Sequence, residues 1–168
     1  MPIPYLRPMS FRILLFLLCI GPAGMGQTPL IDSLRMELMR AQTDTSRALL
    51  LAEIAWELKV SEPDSARLLL DQAIQFSRER RFPKGEATAL NYYGVLETIH
   101  GRSSEAIRRY EQALPLRQQI GDIKGVASIH NNLGNIYVRQ GDNIRALTHY
   151  QHSLEITESL GDTARIAR

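Results

Sequence analysis

The chain overlays on itself when shifted by forty residues, and this self-similarity narrows its fold more than any other property. Gly134 lands on Gly94, Gly141 on Gly101, Ala146 on Ala106, Tyr150 on Tyr110, Leu154 on Leu114 and Gly125 on Gly85. A second shift brings Ala106 onto Ala66 and Ala113 onto Ala73, so 44–83, 84–123 and 124–163 are three copies. A fixed period of this size means units stacked in line, each burying its apolar face on the next. In the third copy Leu133, Gly134 and Tyr137 share one side of a helix, and Gly141-Asp142 interrupts it. Ala146, Tyr150, Ser153 and Leu154 then stripe a second helix at helical spacings. Each copy therefore reads as an αα-hairpin. One small residue on each helix, Gly134 and Ala146, lets the two cross closely.

The run Leu133-Gly134-x-x-Tyr137 followed by Ala146-x-x-x-Tyr150 resembles the tetratricopeptide repeat (TPR). The usual repeat is ~34 residues. The longer form here, with added residues such as Gln119 to Gly125, is similar to the TPRs of kinesin light chains, of animal spindle-orientation adaptors and of exported sensor regions of some bacterial histidine kinases. The resemblance covers roughly Asp44 to Arg168 and implies an all-α, right-handed α-solenoid of antiparallel helix pairs.

Residues 1–26 read as a signal peptide. Arg7 and Arg12 precede an apolar run, Ile13 to Ile20, that is shorter than the ~20 residues a membrane span needs. Gly24-Met25-Gly26 then supplies a small-residue cleavage site, so Gln27 is the expected mature start; Met1 and Met9 are alternative initiators. Export to the periplasm or cell envelope follows as an expectation. The whole chain has 20 Lys and Arg against 18 Asp and Glu. Without the leader, which holds two arginines and no acid, the balance is neutral. A neutral surface argues against nucleic acid as a partner. The basic group Arg78, Arg80, Arg81 and Lys84 is expected to be a solvated helix end. Cys19 lies in the leader, so no disulfide or thiol chemistry is expected beyond it.

Within 27–43, Ile31, Leu34, Leu38 and Ala41 stripe a short helix expected to cap the first repeat, and Thr43 to Ser46 is a turn rich in N-cap residues. In the first repeat Ala55 stands where Gly94 does, and Pro63 suits a first helical turn. In the second, Ser103-Ser104-Glu105 predicts a hydroxyl cap and an acidic first turn, and Pro115 predicts a bend. The third should close at Leu160-Gly161-Asp162, with 164–168 opening a fourth repeat that matches Lys124 to Ser128. Such an opening implies the N-terminal part of a longer protein, or a truncated reading frame, and an uncapped end able to self-associate.

No catalytic constellation is present: HExxH, GxxxxGK, GxSxG and GxGxxG are all absent. His149 and His152 are three apart with no third ligand in the pattern, His130 occupies a core-facing position, and His100 adjoins a turn. Neither a metal nor a cofactor is expected, and the chain reads as non-enzymatic. The resemblance implies instead a groove lined by the first helix of each repeat. On a helical wheel that arc holds Leu49, Ala52, Glu53, Trp56 and Val60, then Thr88, Asn91, Tyr92, Val95 and Ile99, then Ser128, Asn131, Asn132, Asn135 and Arg139. From these, Trp56, Asn91, Tyr92, Val95, Asn131, Asn132, Asn135 and Arg139 are the candidate contacts to a protein or extended peptide. Asn offers a donor and an acceptor for a peptide backbone, and Trp an anchor. TPRs that hold chaperone tails clamp two carboxylates with cations. Here Asn131 and Ser128 stand where Lys would be needed, so that ligand is not expected. The alternative function is the input region of a longer membrane-bound signalling protein of the histidine kinase kind, with its membrane-linked partner segments after Arg168.

Overall fold

The computed structural model describes residues 29–166, with side chains through residue 161. The leader, Cys19 and the last two residues lie outside it. Among the described residues seven helices follow one another: α1 (Pro29–Arg40), α2 (Asp44–Leu58), α3 (Pro63–Glu79), α4 (Pro83–Ile99), α5 (Ser103–Gln119), α6 (Ile123–Arg139) and α7 (Asn143–Ile166). Among the described residues there is no strand, and no helix is long and apolar enough to cross a membrane. The fold is an all-α solenoid of three helix pairs, α2/α3, α4/α5 and α6/α7, with α1 packed on α2.

Glycine ends the helices at a regular spacing. Gly101, Gly121 and Gly141 close α4, α5 and α6 in the left-handed region (φ 74°, 67° and 76°), which a residue without Cβ adopts freely. Arg81 takes the equivalent place after α3 at φ 50°. Helix starts use other devices. Thr43 caps α2, its hydroxyl accepting from Ser46 N at 3.1 Å. Asp122 caps α6, accepting from Gly125 N at 2.8 Å, while Pro63 and Pro83 each open a helix. The expected hydroxyl cap at Ser103 is not made: Ser103 is already inside α5 and Arg102 precedes it. Glu105 does sit in that first turn, bound to Arg108 and Arg109. α5 continues through Pro115, which is exposed.

The crossing of each pair refines the small-residue expectation. Ala66, Ala106 and Ala146 are buried on the second helices. Opposite them, Gly94 and Gly134 each receive a tyrosine ring. A Cβ on Gly94 would stand 2.6 Å from Tyr110 Cε1, and one on Gly134 would stand 2.6 Å from Tyr150 Cε1. The glycine is therefore small to admit the ring, not to meet the alanine. In the first pair the same positions hold Ala55 and Leu70, both buried: a smaller partner goes with a larger floor.

Two further expectations change. Leu154, placed in the core stripe, is 56% exposed, although Leu114 at the same register packs against the core. The difference is the neighbour, because α6 follows α5 and packs on it. The turn expected at Gly161 is also absent, and α7 runs through it to Ile166 as one helix. Glycine permits a turn and lowers helix stability by only about 1 kcal/mol, so it does not impose one. The basic group after α3 is paired, Arg78 with Glu86 at 2.7 Å and Arg80 with Asp44 at 2.6 Å.

Candidate functional site

The curvature of the array decides which side can hold a ligand. The first helices of successive pairs touch, α2 on α4 and α4 on α6, whereas no comparable contact joins α3 to α5 or α5 to α7. Helices packed on one side and splayed on the other put the first helices on the inner layer. The inner layer is tied along its length by reach-back bonds: His100 Nε2 lies 2.8 Å from the Lys59 carbonyl, and Arg139 Nη1 donates to the Thr98 carbonyl at 3.4 Å.

Of the candidate contacts, the structure brings Trp56 and Tyr92 together, with ring centroids 4.7 Å apart and tilted by 36°. Both are half-buried, and Tyr92 and Val95 pack on the core edge. Lys59 Nζ lies 3.9 Å over the Trp56 ring and donates to the Trp56 carbonyl at 2.8 Å. The platform has an acidic surround. The Tyr92 hydroxyl is pushed up by burial and by Glu53 and Glu57, with Arg117 opposing. A tilted aromatic pair already carrying one ammonium group suits a cationic or apolar side chain.

The other end of the layer is polar. Asn131, Asn135 and Arg139 are exposed and Asn132 is half-buried, as is Asn91 nearer the platform. Asn135 is partly committed: its Oδ1 accepts from the Tyr150 hydroxyl at 2.7 Å. Its position thus depends on α7. Ala52, expected on the groove, is fully buried, because α2 is flanked by α1 as well as α4. A wheel drawn on one helix cannot show that second neighbour.

On the outer side, α4 floors a seam between α3 and α5. Glu97 on α4 is 2% exposed and is held by Arg67 Nε of α3 at 2.8 Å and by Arg102. Tyr93 donates to Asp71 Oδ2 of α3 at 3.4 Å and carries Arg109 of α5 3.9 Å over its ring. The matching seam, floored by α6 between α5 and α7, holds histidines. His130 Nδ1 lies 3.0 Å from His149 Nδ1, and the His130 and His152 rings are 5.2 Å apart. His149 stacks on Tyr137 at 5.3 Å and 9°, with Arg145 on that ring at 4.8 Å. His130, expected only at a core-facing position, reaches His149 and His152 across the helix pair. The signal was legible in the repeat, since His130 falls on Leu90 and His149 on Arg109 under the forty-residue shift. No group of three or more His, Cys, Asp or Glu among the described residues is arranged to hold a metal ion.

A family described as tetratricopeptide repeat matches residues 126–160. No curated protein matches the chain. Among solved structures, the crystal structure of BtubC (BKLC) from P. vanneervenii is similar, with a TM-score of 0.67 and 18% identity over 90% of this chain and 72% of that one. At that identity the likeness is one of fold. The match to the tetratricopeptide repeat thus falls within the α6/α7 pair, and the fold is an α-solenoid of three helix pairs.

Proposed function

We propose that this chain is a non-catalytic scaffold that holds a protein or an extended peptide along its inner helix layer. The observation that carries this reading is the continuous inner layer, aromatic at Trp56 and Tyr92 and amide-rich at Asn131, Asn132 and Asn135. The family's repeats are protein-interaction modules, which supports the class of ligand. The aromatic platform supplies apolar contact and the asparagines pair with peptide backbone.

The test uses a random-peptide display library selected on the whole chain. Peptides recovered on the native protein should lose at least about tenfold in affinity for a variant with Trp56, Asn91, Asn131 and Asn135 all changed to Ala, about 1.4 kcal/mol. The variant's helical circular dichroism should be unchanged. Equal affinity for both proteins would remove the inner layer as the binding surface.

The leader reading makes the scaffold an exported protein of the periplasm or cell envelope, with Gln27 as its first mature residue. N-terminal sequencing of the protein from fractionated cells checks this, and an intact Met1 or Met9 would refute it. A membrane-fraction band much heavier than this chain would favour the alternative, in which the array is the input region of a signalling protein.

A further inference from the structure

The histidine seam is not used by the binding surface, and its geometry sets a protonation rule. Two imidazole nitrogens 3.0 Å apart, as in His130 Nδ1 and His149 Nδ1, bond only if one of them lacks its proton and accepts. Protonating both rings turns a donor–acceptor pair into two facing donors, each bearing a positive charge. His152 adds a third imidazole 5.2 Å from His130. We propose that this cluster makes the docking of α7 on α6 sensitive to mild acid, so that the third helix pair loosens while the first pair stays closed.

The surroundings do little to relieve the charge. Glu111 on α5 is the acid whose field favours a proton on His149, and Glu155 on α7 lies 3.8 Å from His152 Nδ1. On the other side Arg145 of α7 adds positive charge over Tyr137. No group of α4 figures among the charges acting on His130 or His149. Burial, then the neighbouring imidazoles, holds His130 below its ordinary value, and burial and His152 do the same for His149. A folded pKa below the unfolded one means the unfolded or undocked state binds protons more readily. Docking is then fully favourable above the unfolded value, about 6.5, and weakens as pH falls through the folded values. The fixed carboxylates Glu105, Asp122 and Asp142 are all held below their ordinary values, so they stay charged across this window.

The seam also bears on the inner layer, and this part rests on the binding reading above. Tyr150 of α7 orients Asn135, so releasing α7 frees one end of the groove.

Hydrogen exchange of the full chain separates the two ideas because it needs no ligand. Between about pH 7.5 and about pH 5.5, after correction for intrinsic rates, protection in α6 and α7 should fall about tenfold or more relative to α2 and α3. His130→Leu installs the residue that the second repeat has at this register and should flatten the profile; His149→Gln, on the half-exposed side, should do the same if His130→Leu folds poorly. Unchanged protection in the native chain, or an equal fall in the native chain and the folded variants, would overturn the proposal.

Discussion

The seam floored by α4 and the seam floored by α6 occupy the same register forty residues apart, yet their contents behave differently. In the first, Glu97 is buried between two arginines, whose charge does not vary over the physiological range. In the second, Tyr137 takes the place of Glu97, His149 that of Arg109 and His130 that of Leu90. Repetition fixes where a seam lies and leaves open what fills it. A solenoid can therefore place a permanent lock and a titratable contact one unit apart without altering its backbone.

The largest way to break this comparison is at Glu97. Glu97→Ala leaves two arginines without their carboxylate, Arg67 among them with an 18% exposed side chain. Arg67 keeps Asp64 at 2.6 Å and the Arg102 side chain is 49% exposed, so the loss should lie at the low end for a broken buried pair, about 3 kcal/mol. Chemical denaturation should show that loss, with the α3/α4/α5 seam opening first by hydrogen exchange. Glu97→Leu combined with Arg67→Met should recover much of it, because an apolar replacement of a buried pair is often neutral. If Glu97→Ala proves silent, the first seam is no lock.

Next in size is the tyrosine seated on glycine. Tyr110 is 1% exposed, and burial pushes its hydroxyl up to about 12. Tyr150 is only half-buried. Gly94→Ala must therefore displace a confined ring, and should cost about 2–3 kcal/mol, within the range for overpacking. Gly134→Ala displaces a ring that can swing outward, so about 1 kcal/mol is expected, partly offset by alanine's better helix propensity. Thermal melts of the two variants measure the difference directly. Equal losses would mean that both rings are equally confined.

Much of this architecture was legible in the residues. The forty-residue period, the glycine turns and the alanine positions gave the helix pairs and their order, since each depends on local geometry. Ala52 and Leu154 were misread because each depends on what lies beyond its own hairpin, and the histidine seam because it depends on how the two helices of one pair face each other. Ala52 gains α1 as a second neighbour, Leu154 lacks the helix that covers Leu114, and His130 meets His149 only after α7 folds back. Trp56 and Tyr92 were legible as inner-layer residues, but their stacking depends on α2 and α4 lying side by side.

The smallest effect sharpens the contrast between an internal second helix and the last one. Leu114 on α5 packs against the core, while Leu154 at the same register on α7 is 56% exposed, and Leu147 is 59% exposed where Ile107 is packed. Leu114→Ala should cost about 1–2 kcal/mol, the share of a partly buried leucine. Leu154→Ala should stay within about 0.5 kcal/mol in dilute solution, as exposed substitutions do. The two melts become more informative when repeated at rising protein concentration. If a second copy covers α7, the native midpoint should climb with concentration and Leu154→Ala should blunt that climb, since binding to the folded state alone stabilises by mass action. If the midpoint is flat, the exposed leucines of α7 are solvated in the free chain and the contrast with α5 comes from the missing neighbour alone.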